Sequence, residues 1–209
     1  NIPEAVIAML ATASIGAVWS SSSPDFGIKG VLDRFSQIEP KVLFAADGYF
    51  YNGKRFDSLK ILEEILKQLP SVEKVVIIPY TNKSPDISSL SNAVLYDELI
   101  SGEKASNIEF NQLPFDHPLY IMYSSGTTGL PKSIVHSAGG TLIQHMKELC
   151  LHTNLTRKDT IFYFTTCGWM MWNWLVSSLA VGATVVLYDG SPFYPNSEAM
   201  WKLTEELGI

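Results

Sequence analysis

The stretch of the chain richest in groups that could do chemistry runs from Tyr123 to Lys132 and reads Tyr-Ser-Ser-Gly-Thr-Thr-Gly-Leu-Pro-Lys. Two glycines let successive backbone N–H groups point into one concavity, which is how a chain binds an anion without side-chain charge. Four hydroxyl groups add donors for phosphate oxygens, and Lys132 adds a cation. This phosphate loop (124–132) is predicted to bind polyphosphate through Ser124, Ser125, Gly126, Thr127, Thr128, Gly129 and Lys132.

The phosphate loop differs from two familiar phosphate-binding motifs. A Walker A loop has Gly directly before its Lys, where this chain has Pro131, and the Gly-x-Gly-x-x-Gly dinucleotide fingerprint is absent. Both motifs also lead into a helix, whereas Ile134 and Val135 after the phosphate loop indicate a strand. The loop is therefore expected to join two strands. An ordinary Ser/Gly-rich connection is the alternative.

A second informative stretch is the tryptophan segment, Gly168–Trp174, which holds three of the five tryptophans. It follows a predicted strand at 161–166, and in open parallel sheets ligands collect beyond the carboxyl ends of strands. A ligand pocket is one interpretation. The other is core packing, because Trp169, Trp172 and Leu175 or Val176 fall on one helical face.

The elements that must position these stretches alternate between helix and strand. The periodicity predicts helices at about 3–14, 26–37, 57–69, 140–152, 170–179 and 196–207. It predicts strands at 17–20, 41–46, 75–78, 119–124, 134–136, 161–166 and 184–188. Alternation at this spacing predicts an α/β fold of layered, mostly parallel sheets flanked by helices. The polar stretch 80–116 is predicted to be a surface excursion between two β/α portions.

The charged residues are unevenly spread. Residues 5–24 and 160–188 contain none, and each run is long enough to span a bilayer. Polar residues and glycines interrupt the longer run, and a β-branched cluster ends it, which favours a β-α-β unit buried on both faces over a membrane span. No signal peptide is evident.

Composition narrows the class of protein further. The chain has 209 residues, 46% of them hydrophobic, which excludes extensive disorder. Fifteen basic and 21 acidic residues give a net charge of −6 and no basic cluster, so nucleic acid is not an expected partner. Two cysteines and four histidines show no metal-ligand spacing. With so few cysteines and no targeting segment, we expect a cytosolic protein. Because the first residue is not Met and Leu207-Gly208-Ile209 leads toward a further element, we expect one partial domain, truncated at both ends.

The ten residues from Tyr123 to Lys132 resemble the signature loop of the adenylate-forming superfamily, which is usually followed by Gly; Ser133 stands there in this chain. Further segments are similar to the acetoacetate-activating acyl-coenzyme A synthetases within that superfamily, and they cover nearly the whole chain. These segments are Ala17–Gly27, Val31–Ile38, Tyr51–Lys54, His136–Thr141 and Gly168–Trp174. The resemblance implies part of the large N-terminal AMP-binding domain of such an enzyme.

That resemblance implies a two-step ligase. Acetoacetate and ATP would give acetoacetyl-AMP and pyrophosphate, and coenzyme A would then displace AMP. Mg²⁺ would be bound to ATP, and Thr128 and Lys132 would be the catalytic residues. Another short-chain acid such as acetate or propionate is an alternative, as is a degenerate nucleotide-binding module. Since adenine- and ribose-binding segments would lie beyond the chain, we expect the isolated 209 residues to be inactive.

In the resembled synthetases, the tryptophan segment contributes to the acyl pocket. The residues implied here are Trp169, Met170, Met171, Trp172 and Asn173. Asn173 could donate a hydrogen bond to the 3-oxo oxygen of acetoacetate, because a small-acid pocket needs apolar walls and a few placed polar groups. Two other polar residues have simpler interpretations: His136 as a structural residue after a strand, and Lys54 as a surface charge in a turn.

Overall fold

Strands and helices alternate along most of the chain in the computed structural model, which describes residues 1–104, 106–124 and 129–209. The α-helices are α1 (Pro3–Ser14), α2 (Gly27–Phe35), α3 (Leu59–Leu66), α4 (Tyr96–Ile100), α5 (Ala138–Lys147), α6 (Met170–Ser177) and α7 (Ala199–Leu207). The strands are β1 (Trp19–Ser20), β2 (Val42–Ala46), β3 (Gly48–Tyr51), β4 (Lys54–Asp57), β5 (Lys74–Ile78), β6 (Ala93–Leu95), β7 (Pro118–Ser124), β8 (Lys132–Ser137), β9 (Thr160–Phe162) and β10 (Thr184–Val186).

Pairing between the strands is mostly parallel. The strand order β2-β5-β6 makes a parallel sheet, with Phe44 opposite Val76. β1 pairs parallel with β7, which has β8 as its other neighbour, and β9 pairs parallel with β10. β3 and β4 form an antiparallel hairpin. The predicted α/β class with mostly parallel sheets is confirmed.

Most predicted elements are present, with ends that differ by a few residues. Helix α1 has the predicted bounds, and Pro3 stands in its first turn, where a missing N–H costs nothing. Gly208 has a φ of +61°, as expected for the residue that ends α7. The strand predicted at 161–166 is shorter, because β9 ends at Phe162.

The β3–β4 hairpin was not predicted as a pair of strands. Its turn is Asn52-Gly53, with φ angles of +51° and +75°, which is a strong hairpin signal. The rings of Tyr49 and Phe56 stack with centroids 4.9 Å apart. All of β4 is exposed, so the alternation of buried and exposed residues that usually marks a strand is missing there. The sequence therefore indicated the turn but not the two strands.

Part of the stretch 80–116 is ordered secondary structure. β6 pairs with β5 in a parallel sheet, and Leu90 is buried against Leu62, Val75 and Ile77. The expectation of a surface excursion did not anticipate this edge strand, because three apolar residues between polar stretches give too short a signal.

The chain divides into two compact units. Unit 1 comprises residues 1–23, 109–122 and 134–209, and unit 2 comprises residues 24–108 and 123–133. In unit 1 one buried cluster consists of Met9, Tyr120, Trp172 and Val176, and another of Leu149, Leu155, Ile161, Leu175 and Ala183. In unit 2 the buried clusters are Leu62, Val75, Ile77 and Leu90, and Phe35, Ile65 and Leu69.

The uncharged run 160–188 folds into β9, α6 and β10, as the interpretation of a buried β-α-β unit requires. Within the described ranges, none of the helices combines the length and hydropathy that crossing a bilayer would take.

Unit 2 also buries a carboxylate that sequence reasoning did not single out. Asp47 is 1% exposed, and its Oδ1 accepts hydrogen bonds from the backbone N–H groups of Tyr80 and Thr81, both at 2.7 Å. Its Oδ2 accepts one from the Thr81 hydroxyl at 2.6 Å. Burial alone raises the pKa of Asp47, but the hydrogen bonds from Thr81 and Tyr80 outweigh it and hold that pKa below its ordinary value. Asp47 therefore fixes the chain after β5 as a structural anion.

Candidate functional site

The two ends of the phosphate loop lie on neighbouring strands of one sheet. Ser124 is the last residue of β7 and Lys132 is the first of β8. The expectation that the loop joins two strands is thereby confirmed, in contrast to loops that lead into a helix. The predicted phosphate ligands Ser125, Gly126, Thr127 and Thr128 lie outside the described residues.

The described end of the phosphate loop is open to solvent. Gly129 has a φ of +97°, a conformation that favours glycine, and no described atom lies within 4 Å of where its Cβ would be. Leu130 is 60% exposed, and Lys132 is exposed as well. The Lys132 side chain, at the start of β8, is therefore accessible to an anion in solution.

The tryptophan segment, in unit 1, divides into an exposed part and a buried part. Trp169 directly precedes α6 and is 61% exposed; Met170 is exposed too, and Met171 is half-buried. Trp172 is fully buried, and its Nε1 donates a hydrogen bond to Asn1 Oδ1 at 2.8 Å. Trp172 is therefore a core residue, while Trp169 and Met170 have free surface.

Asn173 is buried without a full set of polar partners. It is 2% exposed, and its Nδ2 lies 3.6 Å from Met122 Sδ, a weak acceptor. Its Oδ1 is buried and has no hydrogen-bond partner among the described residues. A buried amide left this way costs about 1–3 kcal/mol. A half-turn of the amide would place the NH₂ at the unpartnered position, so this side chain has hydrogen-bonding capacity for another group.

A buried histidine is connected to the backbone of Asn173. His145, on α5, lies with its Nδ1 2.8 Å from Ser177 Oγ, which in turn donates to the Asn173 carbonyl at 3.0 Å. Because the hydroxyl has only one proton, His145 Nδ1 must carry the hydrogen between ring and hydroxyl. Burial, together with the nearby His136, lowers the pKa of His145, while Glu148 raises it in part. The fold therefore favours the neutral imidazole over the cation.

The sequence assigned no role to His145 beyond its lack of metal-ligand spacing, and this contact was missed because a lone histidine on a helix gives no signal of such a partner. His136 is half-buried with its ring 5.1 Å from that of Tyr120, and burial lowers its pKa. Lys54 is exposed at the start of β4. In the part of the chain that the structure describes, no three His, Cys, Asp or Glu side chains gather in a way that could hold a metal ion.

Comparisons with known proteins agree along the whole chain. The sequence model described as AMP-binding enzyme matches residues 1–209. An acetoacetyl-CoA synthetase of Danio rerio is 57% identical over 100% of this chain and 32% of its own length. A malonamoyl-CoA synthetase of Penicillium aethiopicum is 46% identical over 100% of this chain and 31% of its own length.

A solved structure gives the same picture. The acetoacetyl-CoA synthetase from Streptomyces lividans superposes with a TM-score of 0.92 at 48% identity, covering 100% of this chain and 31% of that one. The chain thus spans about a third of the length of the relatives it matches.

Proposed function

The chain belongs to the AMP-binding enzyme family, and we propose that the whole protein is an ATP-dependent acetoacetate–coenzyme A ligase. The observation that carries the proposal is the 57% identity, over this entire chain, to a relative named for that acid. The phosphate loop supports it, since its ends lie on two neighbouring strands and its lysine is exposed.

In the proposed first step a carboxylate oxygen of acetoacetate attacks the α-phosphorus of ATP. A bond forms between that oxygen and the α-phosphorus. The bond from the α-phosphorus to the oxygen bridging the α- and β-phosphates breaks, and pyrophosphate leaves with the bonding electrons. The carboxylate is already an anion, so this step depends on positioning and on neutralising the leaving charge more than on a base. Lys132 is the described cation suited to that task, with Ser124, Gly129 and the undescribed residues 125–128 as proposed phosphate ligands.

In the proposed second step the coenzyme A thiolate attacks the acyl carbonyl and AMP leaves, which gives the thioester. ATP and coenzyme A are thus co-substrates. We assign Mg²⁺ to the ATP phosphates, where it would offset charge on the departing pyrophosphate.

The acid-binding part is proposed to lie at the tryptophan segment, where exposed apolar side chains and the buried amide of Asn173 would both contact the acid. Trp169, Met170 and Met171 would supply apolar surface, with Trp172 holding the segment from beneath. Asn173 would donate to the 3-oxo oxygen of acetoacetate, using the hydrogen-bonding capacity that the protein itself leaves unfilled.

The test is an acid panel on the whole protein with ATP, Mg²⁺ and coenzyme A. We expect acetoacetate to exceed acetate, propionate and butyrate in kcat/KM. A preference for malonamate, the acid implied by the name of the fungal relative, would replace acetoacetate as the substrate. Absence of ATP–pyrophosphate exchange with every acid would leave a nucleotide-binding module without turnover.

Asn173→Ala tests the hydrogen bond separately. Acetoacetate and butyrate differ at the 3-oxo group, so loss of one hydrogen bond should lower their kcat/KM ratio about 5–30-fold. An unchanged ratio would remove Asn173 from substrate recognition while leaving the ligase assignment intact.

A further inference from the structure

Gln37, which lies just after α2 in unit 2, contacts the phosphate loop from across the sequence. Its Nε2 donates to the Pro131 carbonyl at 2.9 Å and to the Asp33 carbonyl at 2.6 Å. Its Oε1 accepts from the Ser133 hydroxyl at 3.0 Å. One amide side chain therefore binds the residues on both sides of Lys132 and is itself tied back to α2.

Arg34, one helical turn earlier, contacts the other end of the same loop. Its guanidinium carbon lies 5.8 Å from the centroid of the Tyr123 ring and 4.4 Å from that of Phe26, both within cation–π range. Its Nη1 donates to the Gly30 carbonyl at 2.7 Å, which fixes the guanidinium over the rings. Tyr123 immediately precedes Ser124, so the start of the phosphate loop is held from α2 as well.

Helix α2 packs against the buried core of unit 2. Phe35 is buried against Ile65 and Leu69 of unit 2, and Tyr123 packs on the same cluster. Contacts from a side chain on a packed element transmit that rigidity to the loop ends. Arg34 lies in the last turn of α2 and Gln37 two residues past its end, so both side chains come from the same end of this helix.

We propose that Arg34 and Gln37 form a loop clamp that positions the phosphate loop for ATP. This inference rests on the proposed function, because it takes the loop as the phosphate-binding element. Both are positioning residues: neither has to touch ATP, and their contacts hold Tyr123, Pro131 and Ser133 in place before the nucleotide binds, so that ordering these residues costs no binding free energy.

Ser133 gives the clamp one of its contacts. It stands where the resembled signature usually has Gly, and its hydroxyl is the group that bonds Gln37 Oε1. Glycine at this position would leave the Pro131 bond in place and remove only the Ser133 bond. One hydrogen bond therefore joins Ser133, the residue that departs from the signature, to Gln37.

The experiment measures ATP–pyrophosphate exchange on the whole protein for Gln37→Met, which keeps the side-chain length and removes both polar groups. We expect the KM for ATP to rise about tenfold, and about threefold for Ser133→Gly, as losses of one or two hydrogen bonds predict. The KM for coenzyme A should be unchanged. Gln68→Met is the matched control, since Gln68 is exposed just after α3 and its Nε2 donates to the Glu64 carbonyl four residues earlier.

A double-mutant cycle separates positioning from general stability. If the clamp places Lys132, the effect of Lys132→Ala should be smaller in the Gln37→Met background than in the wild type. Additive effects, or a Gln37→Met variant that behaves like Gln68→Met, would overturn the clamp. Wild-type protein without exchange activity would instead overturn the proposed function.

Discussion

The phosphate loop and the tryptophan segment differ in how far packing constrains their residues. The described end of the loop is exposed and is held by polar contacts at its flanks, so its residues are under little packing constraint. The tryptophan segment alternates an exposed Trp169 with a fully buried Trp172. The residue types of the loop can therefore be interpreted directly as candidate ligands. In the tryptophan segment the residue type is not enough, because one tryptophan packs in the core and another lies on the surface.

The largest expected effect concerns the buried part of the segment. Trp172→Ala should lower the free energy of unfolding by about 3–5 kcal/mol, because a fully buried ring that stacks near Trp19 leaves a cavity. Chemical denaturation of the whole protein measures it. Trp201→Ala, at a 76% exposed position of α7, is the control. Equal losses for the two variants would contradict the division of the segment.

Lys132→Ala should show the converse pattern. Because Lys132 is exposed, we expect unfolding to change by less than about 0.5 kcal/mol. Loss of a charge-assisted hydrogen bond to phosphate should lower kcat/KM for ATP about 10–100-fold. Pyrophosphate exchange measures the loss, and Lys54→Ala, another exposed lysine in unit 2, is the control. Loss of stability without loss of activity would make the loop a structural connection.

The fold was predictable where apolar periodicity was strong. The uncharged run 160–188 and the buried strand β5 follow directly from apolar residues that need cover on two faces. β6 and the β3–β4 hairpin were missed, since one is three residues long and the other has an exposed strand. Secondary structure formed by tertiary pairing leaves little trace in local composition.

The candidate site divides in the same manner. The phosphate loop was predicted from its residue types, its spacing and the resemblance, and the structure confirms that it joins two strands. The sequence could not predict which tryptophan is buried, because Trp169 and Trp172 both fit one helical face. Trp172 is buried because it packs against Met9 and Tyr120. Gln37 was also missed, since its partners Pro131 and Ser133 lie 94 and 96 residues away in sequence.

The glycine of the loop offers a smaller and more local perturbation. Gly129→Ala adds a side chain at a φ of +97°, where strain costs about 1–2 kcal/mol. An exposed loop should relieve that strain by moving, so we expect the KM for ATP to rise severalfold while stability changes little. Gly102→Ala is matched in φ, at +89°, and in having no described atom within 4 Å of its Cβ. An equal effect on KM from both variants would contradict a role for the loop's shape.

His145 should make the packing around the tryptophan segment sensitive to pH. Its pKa is lowered in the fold mainly by burial, so its stabilising contribution is complete above the unfolded pKa of about 6.5 and is lost as pH falls toward the folded pKa. His145→Gln, which cannot titrate, should flatten the fall in unfolding free energy between pH 7 and 5; part of the slope should remain, because the pKa of His136 is lowered too. Chemical denaturation at each pH measures the slope, and an unchanged slope for His145→Gln would contradict the role of the buried imidazole.

The exposed end of the tryptophan segment should contribute little to stability. Trp169→Ala removes a ring that is 61% exposed, so unfolding should change by no more than about 0.5 kcal/mol. If that ring limits the acyl pocket, the ratio of kcat/KM for longer acids to that for acetoacetate should rise severalfold, since each buried methylene contributes about 0.8 kcal/mol. Trp201→Ala, with an even more exposed ring in α7, should leave the ratio unchanged. A Trp169→Ala variant with the wild-type ratio would remove that ring from the choice of acid, while the contribution of the buried Asn173 is decided by its own variant.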